Sequence, residues 1–328
     1  MKKYLVYCIL LLAVVSVGCI IYGIIIVKYQ VFPYEIIKTV FHRTQEPEQT
    51  NTPWSIGIYE GSTLFDLHAK EDISNPILTA KDVIDIDADI VADPFMVLNK
   101  GKFFIFFEAL NRKTAQGDIA YAESADGRDW HYRKVIIDEN FHLSYPYVFE
   151  WNNTYYLIPE SGQDFSVRLY KATEFPEKWE YVGNLLSGYQ YYDPSIFRYK
   201  DKWWMFVSTG NSNVLNLYYS DDLLKGWQPH PKNPIVKLNK HFSRSGGRVI
   251  SYNDKLLRLT QDDDPSYGVQ VFAFEITELS ETSYTEKLVS EKPIVTKTGI
   301  GWNAAGMHHV DPHKIGNKWV ATVDGRSK

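Results

Sequence analysis

Along the chain, apolar and polar residues alternate in short runs separated by turn residues, at the period of strands rather than helices. The pattern repeats. "ADPFMVLNKGKFFIFFEA", "SYPYVFEWNNTYYLIPES", "YDPSIFRYKDKWWMFVST", "GGRVISYNDKLLRLTQD" and "HVDPHKIGNKWVATVDG" align on a column holding Pro94, Pro146, Pro194, Gly247 and Val310. A second column holds Lys102, Thr154, Lys202, Lys255 and Lys318, with hairpin residues Gly101, Asn152, Asp201, Asp254 and Asn317 just before it. Each copy therefore predicts two strands joined by a tight turn. A second strand pair follows in "DIAYAESADGRDWHYRKVI", "VRLYKATEFPEKWEYVGNL" and "LNLYYSDDLLKGWQPH", and more loosely in "VQVFAFEITELSETSYTEKLV". Its outer strand is opened by Trp130, Trp179 or Trp227, a spacing so regular that inter-blade packing is the expected role.

Four strands in about fifty residues make one propeller blade. Five first pairs but only four second pairs are present, so the missing pair is expected at the front. "WSIGIYEG" (54–61) resembles "GDIAYAES", and "ILTAKDV" (77–83) is expected as the outermost strand. The fold predicted is all-β, a five-bladed β-propeller over 53–328 closed by its N-terminal strands, which removes free sheet edges.

Ahead of it, Tyr4 to Val27 carry no charge, a run long enough to cross a bilayer as a helix and longer than the apolar core of a signal peptide. Residues 1–28 are thus expected to be a retained transmembrane anchor and 29–52 a polar linker. Lys2 and Lys3 favour a cytoplasmic N-terminus, which puts the globular part outside the cytoplasm. Both cysteines, Cys8 and Cys19, fall in the apolar run, leaving the propeller without disulfides or thiolate metal sites. With 35 Lys and Arg against 40 Asp and Glu, and no basic run, no nucleic-acid partner is expected.

In a propeller, residues before each first strand and after each second strand meet near the axis at one face. That gathers Asp93, Tyr145, Asp193, Gly246 and His309, together with Glu108, Glu160, Thr209, Asp262 and Asp324, while Arg244 and Arg248 supply cations from the fourth copy. An Asp before Pro is also a common turn starter. Converging carboxylates need more: a bound cation, an arginine partner or raised pKa values. "GMHHVDPH" adds His308, Asp311 and His313. Its spacing matches no zinc motif, so no metal and no cofactor is expected, and the histidines are read as ligand-hydroxyl binders. Strand alternation puts His309 towards the channel and His308 away from it.

"VADPFM", "YDP" and "ESADGRDW" resemble the propellers of glycoside hydrolase families 43 and 32. With "WSIGIYEG" and "GGR", the chain resembles more closely, over about 54–326, the N-terminal propeller of glucosamine inositolphosphorylceramide transferase-like proteins. In that family's plant proteins a transferase domain follows the propeller; here it is expected to be absent. The hydrolase resemblance implies that Asp93 is base or nucleophile and that Asp193 orients the acid. That acid, a later-blade Glu in those families, is replaced here by Arg244 and Arg248, leaving Glu160 and Glu108 as substitutes. Tyr145, Arg244, Arg248, Asp262, His308, His309, Asp311 and Asp324 would bind substrate. Two functions follow: a membrane-anchored enzyme that cleaves or transfers a glycosyl group on a glycan or glycolipid, or a non-catalytic glycan-binding module assisting a partner glycosyltransferase.

Overall fold

The computed structural model describes Tyr22 and residues 53–210 and 213–328. The expected anchor and linker lie outside the described residues, apart from Tyr22. Among the described residues no helix is long and apolar enough to cross a membrane.

Five antiparallel sheets make the propeller. The first blade runs Ala88–Asn99, Lys102–Asn111, Gln116–Ser124, His131–Ile137, and the second Ser144–Trp151, Thr154–Glu160, Ser166–Glu174, Lys178–Ser187. The third has Tyr192–Tyr199, Lys202–Thr209 and Val214–Ser220, with Gln228–Pro229 and Val236–Lys237 sharing its outer edge. The fourth is built on Lys255–Asp262, Gln270–Leu279 and Tyr284–Leu288. Its first strand is split into Arg244–Ser245 and Ile250–Tyr252, with Gly246 and Gly247 at the break. Gly247 has φ +145°, and a β-carbon there would lie 2.0 Å from the carbonyl oxygen of Val310; only glycine lets the fifth blade approach so closely.

The hairpin turns explain the repeat's polar column. Lys100–Gly101, Asn152–Asn153, Lys200–Asp201 and Asn253–Asp254 all have positive φ at both positions, the twist that two-residue hairpins require.

The fifth blade closes the ring: Val310–Ile315, Lys318–Arg326, then Trp54–Gly61 from the other end of the chain. Trp54–Gly61 pairs with the strand ending at Arg326 along its whole length. The outermost strand is not 77–83 but His68–Ala69, opposite Tyr59 and Glu60. In 77–83, Ile77 and Leu78 make only a bridge to Ile56. The segment then turns into the short 3₁₀ helix Ala80–Asp82, capped by Thr79, whose amide donates to Asp82 Oδ2 at 2.8 Å. That reciprocal cap takes up backbone groups a strand would have needed. Trp179 packs its ring edge-on to Phe106 of the preceding blade at 5.7 Å, the inter-blade role expected of it.

Candidate functional site at the ring mouth

At the mouth the first strands bulge. Asp93, Tyr145 and Asp193 each sit in the left-handed region (φ 53°, 46° and 46°) directly before their prolines, where the ladder skips a residue. The bulge re-aims the side chain that precedes each proline.

The strand pairing also corrects the second column. Glu108 pairs with Ala92, Glu160 with Ser144, Ser208 with Tyr192, and Gln261 with Arg244. Ser208 and Gln261, not Thr209 and Asp262, therefore hold the position equivalent to Glu108. Alternation turns the neighbouring side chain away. Asp262 instead receives His241 Nδ1 and Gln270 Nε2, both at 2.9 Å. Gln261 is in the site, its Nε2 donating to Asp193 Oδ2 at 2.8 Å. The constant distance from Lys102, Thr154, Lys202, Lys255 and Lys318 would have found it.

Arg244 binds the third- and second-blade acids together. Its Nε lies 2.6 Å from Asp193 Oδ2 and its Nη2 3.4 Å from Glu160 Oε2. The Asp193 amide also donates to Glu160, at 3.2 Å. Burial, then the charge of Asp193, pushes the Glu160 carboxyl well up. Tyr192 and Tyr267 flank the guanidinium at 5.5 and 5.3 Å.

Asp93 and Glu108 are not bound in this way. The Asp93 amide donates to Asp324 at 3.2 Å, but no hydrogen bond reaches the Asp93 carboxylate from the described residues. Its nearest imidazole neighbours are His308 Nε2 at 3.6 Å and His309 Nδ1 at 3.7 Å. Burial, reinforced by Asp193 and Asp324 against His308, lifts Asp93 to about 7. Burial likewise holds Glu108 well above the carboxylate range; its neighbour is His142 Nε2 at 3.6 Å. Burial keeps His142 itself neutral, down at about 4.

Both His308 and His309 reach Asp93, contrary to the alternation expected of them, because neither lies in a strand: pairing begins at Val310. His308 stacks on Trp54 at 4.1 Å, with Tyr267 at 5.1 Å. Its Nδ1 lies 2.6 Å from Asp324 Oδ2, and Asp324 is fixed by the amides of His308 and His309, each at 3.0 Å. Burial opposes a charge on His308, yet Asp324 and Asp93 outweigh it and raise the imidazole to about 9. His309 is pressed between Phe95 and Tyr145, and burial lowers it to about 4. Asp93, His308 and Asp324 could bring three ligand atoms within 4.8 Å of one another around a cation. The Asp324–His308 contact already occupies one face of that group.

Besides Asp262, three expected site residues sit elsewhere. Arg248 and Asp311 form a separate buried ion pair, with Nη2 to Oδ2 at 3.0 Å and His313 Nε2 at 2.9 Å from the same oxygen. Asp311 also accepts from the Met96 amide at 2.7 Å, so this cluster ties the fifth blade to the first along the channel. Tyr145 is fully buried. Its hydroxyl donates to Gly247 O at 2.8 Å and accepts from Gly247 N at 3.0 Å, crossing from the second blade to the fourth.

Over residues 47–326 the chain matches the family described as glucosamine inositolphosphorylceramide transferase 1, N-terminal. The chain belongs to that family. It is 33% identical over 296 residues to glucosamine inositolphosphorylceramide transferase 1 of Oryza sativa subsp. japonica, and 30% identical over 302 residues to the Arabidopsis thaliana protein of the same name. The matches take in 83% and 85% of this chain but only 40% and 39% of those relatives, so the chain spans well under half of their length. Among solved structures, a thermostable family-43 glycoside hydrolase superposes with a TM-score of 0.57 at 14% identity, covering 74% of this chain and 88% of the hydrolase. A β-1,2-mannobiose phosphorylase from Listeria innocua gives 0.59 at 14% identity, covering 81% and 96%. These two share the propeller fold with the family member described here.

Proposed function

We propose that the domain is carbohydrate-active: it engages a glycan, or the sugar headgroup of a glycolipid, at the ring mouth and cleaves or transfers a glycosyl group there. The observation that carries this reading is Asp93, a buried carboxyl that stands near 7, accepts no hydrogen bond from the described residues and faces the charged His308. A group titrating near neutrality both gives and takes a proton efficiently. Glu108, whose carboxyl is pushed well up by burial, is the second carboxyl not bound by Arg244, and Asp193 and Glu160 are held as positioning groups by Arg244. Glycosyl chemistry commonly uses such a carboxyl pair across the scissile bond. The relatives' name points to an inositolphosphorylceramide as the lipid substrate class, a proposal for this shorter chain.

Arg244 also favours a second reading. It occupies the fourth-blade position and neutralises two of the ring's acids, as suits a module that binds a glycan for a partner glycosyltransferase without reacting. The apolar run Tyr4–Val27 supports attachment to a membrane, with the propeller outside the cytoplasm. Retention of that run is checked by N-terminal sequencing of the mature protein, which should begin before Val27.

The deciding experiment compares the wild-type full chain with Asp93→Asn on a glycan array and in a product-release assay with glycolipid vesicles. Asn keeps the shape of Asp but cannot act as base or nucleophile. Turnover lost with binding kept supports the enzyme. Binding without turnover in either protein supports the module, with affinity changed by about 0.5–3 kcal/mol. Absence of both from the wild type removes the carbohydrate reading.

A further inference from the structure

The chain passes from the outer edge of one blade to the first strand of the next through five connectors. Four of them present an exposed apolar side chain: Ile84, Tyr189, Leu238 and Ile300, exposed by 82, 63, 78 and 78%. All four are on the mouth face. The pairs that precede them, Leu78 with Ile56, Ser187 with Ser166, Lys237 with Val214 and Thr296 with Gln270, each lie within the first three residues of a third strand, which leaves from that face. Scattered exposed apolar residues need no explanation; one on each of four connectors of a single face is a pattern. The backbone is shaped to present them. Leu238 itself has φ +53°, Ile300 stands between Gly299 and Gly301 at +82° and +70°, and Tyr189 follows Gly188 at +109°. A left-handed leucine is a sterically unfavourable choice that packing would have to justify, and Leu238 packs on little. On the opposite face, the tips of the first hairpins are Lys100–Gly101, Asn152–Asn153, Lys200–Asp201, Asn253–Asp254 and Gly316–Asn317, polar throughout.

We propose that the mouth face docks on a lipid bilayer, with these four tips in the interfacial layer. Two further observations select a membrane as the occupant. The chain enters the propeller on this same face: Trp54 pairs with Arg326 at the mouth end of the fifth blade, and Ser327 N donates to Pro53 O at 3.3 Å. Only residues 28–52 separate that entry from the apolar run ending at Val27. Exposed lysines accompany two of the tips, Lys237 and Lys240 around Leu238 and Lys297 before Ile300, where anionic headgroups would add attraction, whereas Ile84 is flanked by the exposed Asp82, Asp85 and Asp87 and inserts by its apolar side chain alone. Apolar side chains so presented reach about 5–10 Å into the headgroup boundary. The inference rests on the membrane attachment proposed above, and it makes a membrane-borne glycolipid, rather than a free glycan, the sugar that Asp93 meets.

The test uses the full chain with Cys8→Ser and Cys19→Ser, carrying one reporter at a time from Leu238→Cys, Ile300→Cys, Leu98→Cys or Leu224→Cys. The last two positions are on the other face, exposed by 49 and 50%. Each protein is labelled with an environment-sensitive fluorophore and reconstituted in phosphatidylcholine vesicles, with or without phosphatidylserine, that contain brominated lipid. Flotation reports attachment, and quenching reports which face meets the lipid. The expected result is flotation of all four proteins, with strong quenching at 238 and 300 and none at 98 and 224. Quenching strengthened by phosphatidylserine supports a share for the lysines; equal quenching in both lipids supports insertion by the apolar tips alone. Flotation with equal quenching at all four positions overturns the docking while leaving the glycan reading intact. Loss of flotation overturns the attachment and the docking together.

Discussion

Asp324 does for His308 what Arg244 does for Asp193: each fixes a neighbour that Asp93 then feels. Three amides, of Asp93, His308 and His309, converge on the Asp324 carboxylate. Its charge keeps His308 protonated against the burial that opposes it. Asp324→Asn should therefore return His308 towards neutrality. The cation beside Asp93 is then lost, which outweighs the simultaneous loss of Asp324's own smaller repulsion, so the Asp93 carboxylate becomes harder to form and its midpoint should rise above its present value of about 7. Carbon-detected NMR of the Asp93 carboxyl during a pH titration checks this. An unchanged or lowered midpoint would show that His308 does not hold Asp93 where it is. Tyr145 makes the opposite point about candidate residues. Its place in the repeat looked like a site position, yet its hydroxyl is spent on Gly247 and Ser195 inside the channel. Tyr145→Phe keeps the ring contacts to Phe95 and His309 but strands the Gly247 amide, and should cost about 1–3 kcal/mol in urea unfolding. A variant as stable as wild type would return the hydroxyl to the list of ligand contacts.

At the level of elements, hairpins were the most legible part of the sequence. Their turn residues and strand alternation are local signals, and the strand Trp54–Gly61 has the bounds its likeness to "GDIAYAES" suggested. What local pattern could not supply was the partner of a short segment. His68–Ala69 carries no strand signature and takes the outer edge, whereas 77–83 looks apolar enough for a strand but is diverted by the Thr79–Asp82 cap. Register was legible only when counted from the turn. Counting from the turn puts Gln261 beside Asp193, while judging by residue chemistry picked Asp262, one position along and facing out of the site. His142 and Tyr267 were missed because they come from connections, where no period places a side chain.

For the molecule as a whole, the site and the closure of the ring are the same problem. The charged mouth makes stability depend on pH. His308 stands at about 9 in the folded protein, above its usual 6.5, so its contribution is complete below about pH 6.5 and disappears as pH rises through 9. Up to about 3 kcal/mol should be lost across that window, seen as a melting temperature that falls from pH 7 to 9.5 and falls less in His308→Gln. Asp93 shifts in the same sense but over a lower range, ending near 7, so it does not share this window. The ring itself depends on its first strand. Trp54–Gly61 is the third strand of a blade whose first two strands arrive more than two hundred residues later. Removing residues 53–61 would expose the whole edge of Lys318–Arg326, and no other blade can cover it. It would also take away the Trp54 ring that stacks on His308, uncovering the site from its fifth-blade side. Truncation at Ser62 should therefore abolish the cooperative melt, since each blade packs on the next and an open ring leaves two of them half-packed. A truncated chain that melts cooperatively at the wild-type temperature would mean that the fifth blade stands on its first two strands alone, and that the N-terminal strand decorates the propeller rather than closing it.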